Sequence, residues 1–225
     1  MATDGWFAAS NTPRTGRLRA RPSQVKLTTG EQYRSNPGRR ISHIAIESAN
    51  TSITHLPSIQ LPDLIGRLID VDALSVDRPS VIVFACNHCP YVQSIESALG
   101  NIAAQNPDVA WIAICSNDAN TYPDDDIPGL REQAARANWT FPYLVDADQQ
   151  IARTFGAVCT PDFFVFDTQG DLTYRGAMDD ARPRQPQPVD GAHLASALAA
   201  AWRNQPFAGG KPAMGCGIKW REGAH

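Results

Sequence analysis

The fold is decided by ten consecutive residues, Val81-Ile82-Val83-Phe84-Ala85-Cys86-Asn87-His88-Cys89-Pro90. The stretch begins with four apolar residues in a row, which is typical of a strand covered on both faces. It ends in two cysteines separated by two residues. Beyond it, apolar residues recur at helical spacing at Val92, Ile95, Leu99 and Ile102. A buried strand that ends in Cys-x-x-Cys and continues into an amphipathic helix is typical of redox sites.

Composition and charge restrict the classes of function. An apolar fraction of 43% over 225 residues supports one folded domain with additional segments. Residues 1–42 carry a net charge of +6, which leaves −9 for the remainder of a chain whose total is −3. The acidic part of the chain after residue 42 is poorly suited to binding nucleic acid, because contacts with phosphate groups need clustered cations.

The expected cellular compartment is inferred from two kinds of segment that the sequence lacks. No segment approaches the roughly 18 apolar residues that span a bilayer, and the N-terminus lacks the apolar core of a secretory signal. We therefore expect a cytoplasmic protein without a membrane partner. Its five cysteines are then free, catalytic or metal-binding, since thiols stay reduced in that compartment.

Residues 1–45 are predicted to be a disordered basic tail, because they are rich in Ser, Thr, Arg, Pro and Gly. Three other interpretations stay open: an organellar transit peptide, a tail that contacts an acidic surface, and an extension from an early start codon.

The rest of the chain predicts alternating strands and helices. In order, these are a hairpin at 59–71, a strand at 81–86, a helix at 88–105, a strand at 109–115, a helix at 127–138, a strand at 141–145, a helix at 149–155, a hairpin at 159–175 and a helix at 194–202. This order predicts a central sheet with helices on both faces. The acidic loop 116–128 is interpreted as a solvated loop that caps the next helix, with a cation site as the alternative.

The two cysteines have distinct predicted roles. The positive end of the helix lowers the pKa of a nearby thiol, so Cys86 is predicted to be the exposed nucleophile. Cys89, inside the first turn, would attack the mixed disulfide and release the product. His88, if cationic, would stabilise the Cys86 thiolate further; the alternative is a surface residue at the start of the helix. A zinc site is disfavoured, because no second Cys-x-x-Cys or His pair accompanies the first.

The chain resembles the thioredoxin-like superfamily, and within it the peroxiredoxin-like redoxins of the AhpC/TSA class. The matching stretches, which lie between about Ser58 and Trp220, are residues 86–92, 116–119, 141–146, 156–164, 174–176 and 215–220. The resemblance implies an α/β thioredoxin-like fold with a central mixed sheet flanked by helices, an N-terminal β-hairpin and a peroxiredoxin/TlpA-type insertion. The domain would then span residues 46–206, and residues 207–225 would be a C-terminal tail that packs back on it through Ile218 and Trp220.

The resemblance also implies a substrate-binding role for Thr160 and Pro161. In thioredoxin folds a cis-proline faces the Cys-x-x-Cys turn, and the residue before it offers backbone hydrogen bonds to a substrate chain. From the sequence alone, Pro161 could equally be trans at the start of a strand.

The sequence departs from the peroxiredoxin pattern at one chemically important position. A peroxidatic cysteine is preceded by Pro-x-x-x-Thr/Ser-x-x. Pro79 has the right spacing before Cys86, but the hydroxyl position holds Val83. The arginine that would orient a peroxide could be Arg153 or Arg175. The sequence therefore favours dithiol–disulfide exchange over peroxide reduction.

Three further cysteines are assigned as follows. Cys115 ends a buried strand and is predicted to be core. Cys159 is expected near Cys86 as a buried structural thiol, with a third redox cysteine as the alternative. Cys216, in a Gly-rich segment, is either a distal resolving cysteine or a packing residue.

These inferences predict a thiol-disulfide oxidoreductase with no cofactor beyond its redox-active dithiol. Its partners would be a protein or low-molecular-weight thiol or disulfide, or a peroxide, and a thioredoxin-type reductant. The alternatives are a thiol-dependent peroxidase of the alkyl hydroperoxide reductase type and a metal-binding module of the thioredoxin fold.

Overall fold

The computed structural model describes residues 45–48 and 50–223. The predictions for the basic tail fall on residues outside this range, except at Ala45, which begins a strand. The strands are β1 (Ala45–Glu47), β2 (Gln60–Pro62), β3 (Leu68–Asp70), β4 (Ser80–Phe84), β5 (Ala110–Cys115), β6 (Tyr143–Val145), β7 (Cys159–Thr160), β8 (Asp162–Phe166), β9 (Leu172–Gly176) and β10 (Met214–Gly217). The α-helices are α1 (Val71–Leu74), α2 (Pro90–Gln105), α3 (Ile127–Arg136), α4 (Gln150–Phe155) and α5 (Ala192–Ala201).

The central sheet has five strands in the order β6-β5-β4-β8-β9. Strands β4, β5 and β6 run parallel, whereas β8 is antiparallel to both β4 and β9. The sheet is therefore mixed, as the resemblance implies. Strand β4 lies in the middle, which explains why every residue of it is buried.

Alternate residues of β4 face two different hydrophobic layers. Val81 and Val83 face the layer that includes residues of α2, α3 and α5. Ile82 and Phe84 face the layer that includes Phe155 of α4. Because successive strand side chains point to opposite faces, one continuous apolar run supplies both layers.

The start of helix α2 is set by the residues at its N-terminus. Cys89 is its N-cap residue with extended backbone dihedrals, and Pro90 occupies the first helical position. Proline suits that position, because its fixed φ matches the helix and its missing N–H would have no partner within the helix. Only five residues therefore separate the end of β4 from the start of α2, and both Cys86 and Cys89 lie in this short connection.

A second sheet, which sequence reasoning missed, lies beside the redox turn. It has three strands in the order β1-β10-β7, all antiparallel. Strand β10 comes from the predicted C-terminal tail, and Ala45 of the predicted N-terminal tail pairs with Cys216. After β10, Ile218 is buried, whereas Trp220 stays 37% exposed and stacks beneath the guanidinium of Arg153.

The remaining predicted elements are found with small changes in their bounds. The hairpin β2–β3 turns at Gly66, whose φ of +83° favours glycine. The predicted strand at 159–167 is split into β7 and β8 at Pro161. Among the described residues, no helix is long and apolar enough to cross a membrane.

Candidate active site

Thr160 contacts both cysteines of the motif. The Oγ1 atom of Thr160 lies 3.3 Å from Cys86 Sγ, and Cys89 Sγ donates a 3.1 Å hydrogen bond to the Thr160 carbonyl. The peptide bond between Thr160 and Pro161 is cis, as the resemblance implies. The structure thus brings together the four residues assigned to catalysis and substrate binding.

The expected exposure of Cys86 is wrong. Only 1% of Cys86 and none of Cys89 is accessible to solvent. The side chains of Thr160 and Cys89 contact the Cys86 sulfur, and a ligand atom from each of His88 and Asp125 lies within 4.8 Å of it. A turn at the end of a strand is often open to solvent; here these neighbours enclose it.

The pKa of Cys86 is also shifted in the direction opposite to the expectation. Burial, the hydrogen bond with Cys89 and the negative charge of Asp125 raise this pKa well above its ordinary value. The expected lowering by the helix does not prevail, because Cys89, and not Cys86, occupies the N-cap position where the positive end of α2 acts most strongly.

Cys89 lies between two other thiols. Burial raises the pKa of Cys89, but hydrogen bonds with the side chains of Cys216 and Cys86 outweigh burial and lower it below its ordinary value. The Thr160 carbonyl accepts a hydrogen bond from the protonated form of the same sulfur. When the Cys89 sulfur is protonated, the Thr160 carbonyl can accept its hydrogen bond. When it is ionised, the thiols of Cys86 and Cys216 can donate hydrogen bonds to it.

His88 is held by a carboxylate that the sequence did not single out. Its Nδ1 lies 2.6 Å from Asp125 Oδ2, and its ring stacks on Tyr122 at 5.5 Å between centroids. Only 8% of the His88 side chain is exposed, so the interpretation as a surface residue is wrong.

Asp125 also binds the backbone of the redox turn. Its Oδ1 accepts hydrogen bonds from the backbone N–H groups of Asn87 at 2.8 Å and His88 at 3.2 Å. Its Oδ2 accepts a third from the Asn117 side chain at 2.7 Å. The acidic loop is therefore not wholly solvated. It does cap the next helix, because Asp126 accepts from the Gly129 N–H.

A second set of polar residues fixes the turn from α2 and α3. Gln133, fully buried, donates to the Cys86 carbonyl at 3.2 Å and accepts from the Tyr143 hydroxyl at 3.0 Å. Arg136 pairs with Glu96 at 2.6 Å and donates to Asn87 Oδ1 at 2.8 Å. None of these polar residues forms a sequence motif with Cys86.

The other two cysteines are buried. Cys159 is inaccessible to solvent, and burial and the nearby charge of Asp162 raise its pKa. Cys115 is likewise core, with a pKa raised by burial and by Asp125. These shifts favour the protonated form of both thiols.

The arginines considered for peroxide binding serve elsewhere. Arg175 pairs with Asp162 at 2.7 Å and donates to the Gly156 carbonyl at 2.8 Å. Arg153 lies over the Trp220 ring, 4.6 Å from its centroid. Asp162, which follows Pro161, is inaccessible to solvent; burial raises its pKa to about 6 even though Arg175 lowers it.

One group of side chains has the composition of a metal site. Single ligand atoms of Cys86, His88 and Asp125 all lie within 4.8 Å of one another. The Asp125 oxygens already accept hydrogen bonds from Asn87, His88 and Asn117, so a metal ion would have to displace some of these donors.

Gly215 on β10 is essential for the position of Thr160. A Cβ at this residue would overlap the carbonyl oxygen and carbon of Thr160. We predict that Gly215→Ala destabilises the protein by about 1–3 kcal/mol, the range measured for overpacking, and slows thiol exchange. Denaturant unfolding and alkylation rates measure the two effects.

Gly217→Ala is the matched control, because it lies on the same strand and its Cβ would make its one close contact with the end of the Ile46 side chain. If both variants lose the same stability, the contact between Gly215 and Thr160 is not the cause.

The mixed five-stranded sheet, the dithiol at the start of α2 and the cis-Pro161 define a thioredoxin-like protein. The chain belongs to the AhpC/TSA family, whose model matches residues 54–175. Membership in this family supports a general thiol redox function.

Solved structures agree with this assignment. An uncharacterised conserved protein from Geobacillus kaustophilus is 36% identical, with a TM-score of 0.75 over 80% of this chain and 97% of that one. A hypothetical protein from Sinorhizobium meliloti is 34% identical, with a TM-score of 0.74 over 79% and 98%. A secreted disulfide oxidoreductase of Mycobacterium tuberculosis, 21% identical with a TM-score of 0.51 over 64% and 96%, shares the fold. No curated protein matches the chain.

Proposed function

We propose that this protein is a thiol-disulfide oxidoreductase whose redox-active pair is Cys86 and Cys89. One observation carries the proposal: Thr160, beside cis-Pro161, contacts both sulfurs at the start of α2. The substrate would be a protein or low-molecular-weight disulfide, and a thioredoxin-type reductant would restore the dithiol. No cofactor is needed, since the electrons reside on the two sulfurs.

Each catalytic cycle would oxidise the pair and reduce one disulfide. The Cys86 sulfur attacks the substrate disulfide, forms a mixed disulfide and expels the first substrate thiolate. Cys89 then attacks the Cys86 sulfur, which expels the second thiolate and leaves a Cys86–Cys89 disulfide. The Cys86 proton can pass to His88, which Asp125 orients and which has a ring nitrogen within 4.8 Å of the Cys86 sulfur.

Substitution of either cysteine tests the proposal. We expect Cys86→Ser to abolish reduction of a model disulfide, and Cys89→Ser to trap mixed disulfides that the wild type resolves. Titration in glutathione buffers, followed by alkylation and mass spectrometry, should give one two-electron transition for wild type. Cys115→Ala is the control, because Cys115 is buried without a hydrogen bond to either sulfur. A wild-type pair that never oxidises contradicts the proposal.

Peroxide reduction is a second candidate, favoured by the Thr160 hydroxyl. This hydroxyl lies 3.3 Å from Cys86 Sγ, so it can replace the one missing at Val83. Two thiols and one peroxide would give a disulfide, an alcohol and water. Stopped-flow mixing with hydrogen peroxide tests this candidate; a rate no greater than that of a free thiol eliminates it.

Metal binding is a third candidate, favoured by the group of Cys86, His88 and Asp125. Thiolate and imidazole ligands suit zinc and copper. Protein purified without chelators should then contain about one metal ion per chain by elemental analysis, and Cys86→Ser should lose it. Metal-free protein with full thiol reactivity would exclude this candidate.

A further inference from the structure

We propose that Cys216 is the third member of the redox site, and that it exchanges with the oxidised pair to form a Cys89–Cys216 disulfide between α2 and β10. The inference rests on the proposed function, because the exchange starts from a Cys86–Cys89 disulfide. It moves the disulfide from within the redox turn to a position that links α2 to β10.

Strand register directs the Cys216 side chain toward the site. Cys216 and Thr160 are directly opposite partners in the antiparallel pair of β10 and β7. Side chains of directly opposed residues project from the same face of a sheet. The Thr160 side chain contacts Cys86 Sγ, so Cys216 projects from the face on which the dithiol lies.

The three sulfurs form one buried cluster. Cys86 and Cys216 are each 1% exposed and Cys89 is inaccessible, and all three lie in the same hydrophobic layer. The thiols of Cys89 and Cys216 are in hydrogen-bond contact, as are those of Cys89 and Cys86. Cys89 is therefore the central sulfur, with a neighbour on each side.

The other buried cysteines do not share this arrangement. Cys159 is the partner of Gly217 in the same strand pair, so it projects from the opposite face of that sheet. Cys115 lies on β5 of the central sheet and is not part of the pair of β10 and β7. Register thus distinguishes Cys216 from Cys159, and the separate sheet distinguishes it from Cys115.

The exchange is balanced without an external reagent. The Cys216 sulfur supplies an electron pair to Cys89, the bond between Cys86 and Cys89 breaks, and Cys86 leaves as a thiolate. The proton of Cys216 ends on Cys86. One disulfide is lost and one is formed, so the oxidation state of the protein is unchanged.

The products differ in what they offer to a substrate. The Cys86–Cys89 disulfide lies within one turn, whereas the Cys89–Cys216 disulfide would link α2 to β10 and leave the Cys86 thiol reduced. We therefore expect the oxidised protein to carry a reduced Cys86.

Disulfide mapping tests the proposal. Wild-type protein and Cys86→Ser are oxidised in full chain form with oxidised glutathione, alkylated, digested and analysed by mass spectrometry. We expect wild type to contain both disulfides, and Cys86→Ser, which cannot start the exchange, to leave Cys89 and Cys216 reduced in most chains. Cys86→Ser/Cys115→Ala should behave like Cys86→Ser, because Cys115 takes no part in the exchange.

The outcomes separate this proposal from the proposed function. If wild type forms the Cys86–Cys89 disulfide while its Cys216 is fully alkylated, the exchange is wrong and the oxidoreductase proposal stands. A Cys89–Cys216 disulfide that forms equally in Cys86→Ser also overturns the exchange. If wild type forms neither the Cys86–Cys89 nor the Cys89–Cys216 disulfide, the proposed function fails. Mapping in wild type needs no substitution, so a variant that does not fold leaves the test intact.

Discussion

Asp125→Ala is expected to destabilise the folded protein by about 3–5 kcal/mol, the upper part of the range for single substitutions. The carboxylate is 3% exposed and accepts four hydrogen bonds, two of them from backbone N–H groups of the redox turn. Removing it leaves those donors buried without an acceptor, and a buried unsatisfied group bears its full desolvation cost.

The same substitution should impair thiol chemistry. Without Asp125, the backbone of Asn87 and His88 loses the acceptor that fixes the turn between the two cysteines. The pKa of Cys86 should fall toward its ordinary value, because the charge of Asp125 is one of the causes that raise it. We therefore expect alkylation of Cys86 to become faster while the exchange reaction becomes slower.

Asp124→Ala is the matched control. Asp124 is exposed, and it contacts the turn only through its backbone carbonyl, which accepts from the Asn87 side chain. Urea unfolding and the pH dependence of alkylation measure both effects. Equal losses in the two variants would mean that the Asp125 carboxylate does not support the turn.

Arg175→Met is expected to destabilise the protein by about 2–4 kcal/mol at pH 8 and by much less at pH 5. Arg175 neutralises Asp162, which is inaccessible to solvent and directly follows Pro161. Removing the cation leaves a buried carboxylate without a counter-charge. Arg175 also donates to the Gly156 carbonyl and lies over the Phe164 ring, and loss of these contacts accounts for the deficit expected at pH 5.

The pH dependence follows from the pKa of Asp162. Burial raises this pKa to about 6, whereas an unfolded aspartate has a value of about 3.9. The folded protein therefore binds the proton more tightly, and ionisation of Asp162 destabilises the fold as the pH rises through 6. Loss of Arg175 raises the folded pKa further, so the two proteins differ most above pH 6.

Thermal or urea unfolding from pH 4 to pH 8 measures this difference. Adding Asp162→Asn to Arg175→Met removes the titrating group, and the pH dependence of the deficit should then disappear. Arg153→Met, at an exposed arginine, should have a small effect at every pH. A deficit for Arg175→Met that is independent of pH would contradict the assignment to Asp162.

Much of the architecture could be predicted because the apolar residues are periodic. The runs that became β4, β5 and β8 and the helical spacing of α2 identify the central sheet and the redox turn. Pro161 and the dithiol were paired through the resemblance, since nothing local indicates that residues more than 70 positions apart are in contact.

Other parts of the site depend on tertiary contacts that leave no local pattern. Asp125 lies in a polar loop with several aspartates, and only packing decides which one is buried beneath the turn. Strand β10 is short and Gly-rich, so it lacks the alternation that identifies a strand. The burial of Cys86, which reversed its expected pKa shift, depends on such contacts, because Thr160, Cys89 and Asp125 surround its sulfur.

Strand β10 follows the dithiol by more than a hundred residues, and this separation has a consequence during synthesis. Cys86 and Cys89 leave the ribosome long before Cys216 can pair opposite Thr160. Until then Cys89 lacks its contact with Cys216, and the nascent chain presents two thiols to any oxidant present. The pairing of β10 with β7 thus completes the surroundings of a redox turn that was synthesised much earlier.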